Sequence, residues 1–189
     1  MKHKTPLAAL ALFGLALAAL ALFGLALTAS PVFAHSFNVA LVQPVSSAEA
    51  EQYRMGFMLA TTQRDSHPDE TSDGHLGGLD SYVSVVPALG AVADGTDIVV
   101  LPASVAVDGE LSAVVLRPGQ SPFADAEQAG VARFVAAYSS AYGQAPTADA
   151  AQGFNAAQRI DVAVRAQGST DDKAMLKRSF ADTAADFSW

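Results

Sequence analysis

The acidic segment from Asp65 to Asp80 carries side chains that could bind a metal ion. Its candidate ligands are His67, Asp69, Glu70, Asp73 and His75. Imidazole and carboxylate groups suit zinc, copper or nickel, but their spacing here matches no established metal motif. The same composition, with glycines among the polar residues, is typical of a solvated surface loop. We therefore expect a polar loop, with a metal site as the alternative.

A second arrangement could bind copper at a processed amino terminus. Cleavage after Ala34 would make His35 the first residue of the exported chain. Its α-amine and a ring nitrogen could chelate copper, with His67 or His75 completing the site. This resembles the amino-terminal histidine of copper-brace proteins, and it gives a third functional hypothesis.

Sequence signatures of enzymes are missing. There is no G-x-S-x-G elbow, no phosphate-binding loop and no acid–base pair. The chain has no cysteine, which excludes disulfides, thiol catalysis and thiolate metal sites. His35, His67 and His75 all fall outside the predicted core. We therefore expect a non-catalytic protein without a resident cofactor.

The first folded stretch is predicted to be a strand, a turn and a helix. Phe37–Val42 is a short apolar run typical of a buried strand. Pro44 follows it and donates no backbone hydrogen bond, which favours a turn. Ser46 and Glu49 form a capping-box pattern, so the helix should begin at about Ser47.

The turn Gln43–Ser47 is the first candidate for a binding site. In open α/β sheets, ligands lie outside the carboxyl ends of the strands, and this turn follows directly on a strand. The helix after it carries Tyr53, Phe57 and Ala60 on one stripe, which should face the sheet.

Further elements follow at regular intervals. The predicted strands are Tyr82–Val86, Asp97–Leu101 and Leu111–Leu116. The predicted helices are Glu127–Tyr142, Ala148–Ala166 with Thr147 as its cap and Gly168 at its end, and a short one from Thr170 to about Phe180. Strands and helices in this order indicate the α/β class. We expect one three-layer domain over residues 35–189, with a mostly parallel sheet and helices on both faces.

Residues 1–34 are predicted to be an export signal. Lys2 and Lys4 precede the apolar run Leu7–Leu27, and Val32-Phe33-Ala34 is a small-residue cleavage site. We therefore expect a periplasmic protein. The alternative is an uncleaved membrane anchor, because the apolar run is about long enough to span a bilayer.

The net charge of the chain argues against some classes of binding partner. Asp and Glu number 19 against 11 Lys and Arg, for a net charge of −8. An acidic surface argues against nucleic acid and anionic lipid as partners.

Two stretches carry a family resemblance. The strand, the Pro-containing turn and the helix, followed by His75-Leu76-Gly77-Gly78 and Tyr82–Val86, resemble the amino end of type I periplasmic solute-binding proteins. These are the leucine/isoleucine/valine-binding proteins of ABC importers. A segment near the family's carboxyl end resembles Phe134…Tyr138…Tyr142-Gly143…Pro146…Ala150…Gly153-Phe154-Asn155-Ala156…Ala163.

The resemblance implies a function and a set of contacts. Such a protein holds a small carboxylate or amino-acid ligand without chemistry and delivers it to a membrane permease. Pro102-Ala103-Ser104 is similar to the family's G-P-x-S turn, which holds the ligand's α-carboxylate, although Leu101 replaces the glycine. The implied ligand contacts are Gln43, Ser46, Ser47, Tyr53 and Ser104.

The chain departs from the family after this turn. Only Val105–Gln120 stands where the family has the rest of its first lobe, a hinge and a second lobe. A single lobe cannot enclose a ligand by hinge closure. The alternative function is therefore a periplasmic accessory or interaction protein that uses the lobe as a scaffold. An apolar surface in place of the second lobe would favour a homodimer.

Overall fold

A computed structural model describes residues 36–43, 47–65, 71–102, 105–117 and 128–184. The predicted signal segment 1–34 lies outside these ranges, as do His35 and His67. Within them, no helix combines the length and the apolar character that a membrane span requires.

In the ranges that the structure describes, five strands form one mixed, mostly parallel sheet. They are β1 (Ser36–Val42), β2 (His75–Leu76), β3 (Leu79–Val86), β4 (Ile98–Val100) and β5 (Val114–Leu116). Their order is β2-β3-β1-β4-β5. β1 lies parallel to β3 and β4, and β4 lies parallel to β5, whereas β2 is antiparallel to β3. The predicted α/β class and mostly parallel sheet are confirmed.

Several strand boundaries differ from the prediction: β3 begins at Leu79 instead of Tyr82, and β4 covers Ile98–Val100 instead of Asp97–Leu101. The strand expected at Leu111–Leu116 begins only at Val114, because β4 offers three paired positions, from Ile98↔Val114 to Val100↔Leu116. The short strand β2 was not predicted. It turns back into β3 through Gly77 and Gly78, which both have positive φ, a conformation that glycine adopts without strain.

Among the described residues, four α-helices accompany the sheet. They are α1 (Ser47–Gln63), α2 (Gln128–Tyr142), α3 (Ala148–Gln167) and α4 (Lys173–Asp182), with a 3₁₀ turn at Leu89–Ala91. Thr147 caps α3 as predicted, since its side chain accepts from Ala150 N at 3.3 Å. Asp172, rather than Thr170, caps α4 by accepting from Met175 N at 2.9 Å.

The helices pack on one face of the sheet. Phe37, Val39 and Leu41 of β1 join the large apolar cluster to which α1, α2, α3 and α4 contribute. The approach of α1 to α3 is close at Gly56 and Gly153, where any Cβ would overlap a backbone carbonyl of the facing helix. Small residues at this crossing therefore set the position of α3 relative to the sheet.

The other face of the sheet carries a smaller apolar cluster. It contains Ala40, Val42, Val86, Val99 and Leu101. Its partly buried neighbours are Leu89, Val92, Val105, Val107, Ala113 and Val115. In the part of the chain that the structure describes, this face is thus covered by the 3₁₀ turn and by loop segments instead of an α-helix.

Candidate functional site

The strand order reverses at β1. The chain goes from β1 to β3 on one side and then to β4 on the other, so β1 and β4 are parallel neighbours. Their carboxyl ends, at Val42 and Val100, therefore open on the same edge of the sheet. A reversal of this kind leaves a crevice where ligands bind in open α/β folds. Gln43, which follows β1, and Ser47, which begins α1, are the described ends of the turn that the sequence predicted as a site; residues 44–46 between them lie outside the described residues.

The polar residues predicted at this edge are only partly described. Gln43 is half-buried, and its backbone N donates to Val86 O at 2.9 Å, which extends the pairing of β1 with β3. Ser47 is the first residue of α1. Ser46 and Ser104 lie outside the described residues.

Tyr53, also predicted as a contact, lies in the core. Its side chain is 7% exposed, and its hydroxyl has no hydrogen-bond partner in the described structure. Burial raises the pKa of the Tyr53 phenol far above its ordinary value, because the phenolate would lose its hydration. The orphaned hydroxyl is the only polar atom that Tyr53 offers a ligand.

Arg117 follows β5 and fixes the chain that leaves β4. Its guanidinium donates to Pro102 O at 2.8 Å and to Val105 O at 2.7 Å. These two bonds hold the start and the end of the segment that includes Ser104. Sequence reasoning missed this role, although an arginine directly after a strand run is a visible signal.

Arg159 on α3 reaches the same edge. Its Nη1 donates to Arg117 O at 3.1 Å, and the side chain is half-buried. Desolvation lowers the pKa of this guanidinium, because burial disfavours its charged form. Within the described ranges Arg159 makes no ion pair. Partly buried charges are ordinarily paired, so this cation is available to an anion.

His75, a candidate metal ligand, lies between two carboxylates. Its Nδ1 is 3.1 Å from Asp65 Oδ1, and its Nε2 is 2.8 Å from Asp80 Oδ1. The residue is only 9% exposed, so the expectation that it lies outside the core is wrong. These contacts join the end of α1 to the β2–β3 hairpin. Among the described residues, no group of three or more His, Asp or Glu side chains is placed to hold a metal ion.

Comparison with known proteins identifies no relative of this chain: no family model, curated protein or solved structure matches it.

Proposed function

We propose that this protein binds a small carboxylate-bearing solute at the carboxyl edge of β1 and β4, without catalysing a reaction. The observation that carries the proposal is Arg159, a half-buried cation without an ion-pair partner in the described structure. A carboxylate there would supply the missing negative charge, through short and strong charge-assisted hydrogen bonds.

Two further features support this site. The edge lies where the strand order reverses, which is the preferred ligand position in open α/β sheets. Arg117 holds the segment between Pro102 and Val105, so the loop beside the site is anchored at both ends. Binding without chemistry suits a solute-binding protein of an ABC importer, of the branched-chain amino-acid class or a reduced descendant, exported to the periplasm.

A second candidate is an interaction protein that uses the same domain as a scaffold. β5 is the last strand of the sheet among the described residues, and it pairs with β4 alone. An open strand edge can accept a strand from another chain, including a second copy. Sedimentation that shows a strict monomer at high concentration would count against self-association.

The carboxylate proposal is tested by calorimetry on the full-length chain in a neutral polyoxyethylene detergent. The ligands are short aliphatic carboxylates and branched-chain amino acids, each paired with its neutral amide. We expect Arg159→Gln to weaken carboxylate binding by ~10- to 100-fold, the worth of a hydrogen bond to a charged group.

Arg178→Gln is the matched control. Arg178 is exposed on α4, and within the described structure it makes no ion pair. This variant should bind like the wild type. Equal affinities of Arg159→Gln and the wild type, or equal affinities for acid and amide, would refute the proposal. If the wild type bound none of the carboxylates, the interaction protein would be the better-supported hypothesis.

A further inference from the structure

The face of the sheet opposite the helices changes character along β1. Beside the carboxyl half of β1 this face is apolar, since Ala40 and Val42 belong to the smaller apolar cluster. Beside the amino half of β1 the face is polar and open, because Asn38 is exposed and stands in register with Tyr82 of β3. Tyr82 is 38% exposed, which is unusual for a large aromatic side chain in mid-strand.

A cavity of about 320 Å³ lies over this polar half. Its polar lining comes from β1, β3, the segment before β2 and the turn before β4: Asn38, Asp73, Tyr82, Ser84, Asp94 and Thr96. None of the residues that line it is a lysine or an arginine. The cavity therefore combines two carboxylates with one exposed aromatic ring, and within the described structure neither carboxylate forms an ion pair with a lysine or an arginine.

Most donor hydrogens of this lining are already used. The hydroxyls of Ser84 and Thr96 donate to backbone carbonyls at 3.3 and 2.8 Å. Asn38 Nδ2 donates to a third carbonyl at 3.4 Å. What these groups present to the cavity is chiefly their acceptor lone pairs. A ligand that brings donors therefore complements these three side chains.

The two carboxylates differ in the hydrogen bonds that they make to the protein. Asp73 Oδ2 accepts from Val83 N at 2.8 Å, which fixes the carboxylate beside β3 and leaves Oδ1 for a ligand. Asp94 is exposed and makes no hydrogen bond or ion pair to any other described residue. The site thus offers one positioned carboxylate and one that can adjust.

We propose that this cavity binds an organic ammonium ion. An ammonium group is donor-only, compensates the charge of Asp73 and Asp94, and is attracted to the face of the Tyr82 ring. A neutral polyol can donate to the same acceptors, but it leaves the negative charges of Asp73 and Asp94 uncompensated. The cavity is independent of the carboxylate site, since it uses the opposite charge and the amino half of the sheet.

The test is calorimetry on the full-length chain in the same detergent, with 1,4-diaminobutane and tetramethylammonium as probes. Their neutral counterparts are 1,4-butanediol and glucose. We expect both cations to bind and both neutral probes to fail. Asp94→Asn and Tyr82→Leu should each weaken binding by about two- to fivefold, the range for an exposed ion pair or cation–π contact.

Asp108→Asn is the control, because Asp108 is an exposed acid in a loop outside the cavity. It should bind the cations like the wild type, which separates local recognition from attraction by the acidic protein as a whole. Amide NMR shifts at Gly95 and Thr96 would place the ligand even if a variant is less stable. Equal weakening by Asp108→Asn, binding of glucose without the cations, or binding of neither would overturn the proposal.

Discussion

Replacing Gly153 by alanine tests whether the α1–α3 crossing sets the architecture of the domain. A Cβ at this position would overlap Tyr53 O and approach Phe57 N at 3.0 Å. Both obstacles are backbone atoms, so no side-chain rotation can relieve the overlap. The helices must separate instead, on the order of 1 Å, and lose dispersion contacts along the whole interface.

The expected magnitude follows from two opposing effects. Alanine in place of glycine within a helix stabilises by about 1 kcal/mol. Overpacking a close contact costs about 1–3 kcal/mol and sometimes more, and a clash with rigid backbone belongs at the upper end. We therefore expect Gly153→Ala to lower the free energy of unfolding by about 2 kcal/mol. For a domain of this size, that corresponds to a decrease of about 4–8 °C in the unfolding midpoint.

Urea unfolding and calorimetric melting of the full-length chain measure this effect. Gly90→Ala is the control, since a Cβ at Gly90 meets nothing within 4 Å and its φ is not positive. The control should be unchanged or slightly more stable. If Gly153→Ala proved as stable as Gly90→Ala, the close helix crossing would not exist as described.

Two further perturbations probe the core and its ties to the hairpin. Tyr53 is buried and its pKa is raised, so the folded protein holds the phenolic proton more tightly than the unfolded chain does. The contribution of the neutral Tyr53 side chain to the free energy of unfolding should be fully present below pH ~10 and be lost as the pH rises above that value. Absorbance at 295 nm should show that Tyr53 ionises only when the protein unfolds. Ionisation of every tyrosine without loss of near-ultraviolet circular dichroism would contradict this. Asp161 is buried, and its carboxylate accepts a hydrogen bond from Gly77 N at 2.8 Å. Asp161→Ala should therefore reduce the free energy of unfolding, measured by urea titration, by about 1–3 kcal/mol, because the Gly77 amide loses its partner. An unchanged unfolding midpoint would show that water replaces the carboxylate.

Local signals in the sequence predicted the backbone framework. The apolar run of β1, the start of α1 at Ser47 and the cap at Thr147 all depend on residues within a few positions of one another. Gly168, predicted to end α3, has φ 79° at that position. Such signals act over one turn of chain, so they can be read without knowledge of the fold.

Features that depend on distant contacts escaped prediction. His75 was assigned to a surface loop, but it is buried because Asp65 and Asp80 supply carboxylates for both ring nitrogens. Nothing in the local composition distinguishes this pair from the other acids of the segment. Asp161 likewise lay on a predicted helix, and its burial depends on Gly77, 84 residues away.

The candidate site likewise combines features that local sequence signals predict with features that depend on distant contacts. The strand order reverses at β1, the strand after which the sequence predicted a binding turn, and the turn itself stays a prediction. The arginines at that edge were not identified, since only the folded chain brings Arg159 to Arg117 O, 42 residues away in the sequence. The expected contact at Tyr53 came from a family resemblance, and the structure places that side chain in the core.

The two proposed sites make a joint prediction about amino acids, which carry both a carboxylate and an ammonium group. Asn38 and Val42 are four residues apart on β1, so the ammonium cavity and the carboxylate edge are separated by ~13 Å along the strand. A single amino acid spans far less and cannot contact Asp94 and Arg159 together. Saturating 1,4-diaminobutane should therefore leave the affinity for a simple carboxylate unchanged within about twofold at physiological salt, where screening weakens distant charges. Full competition between the two probes would mean that they share one site, and the separate assignments of Arg159 and Asp94 would both be wrong.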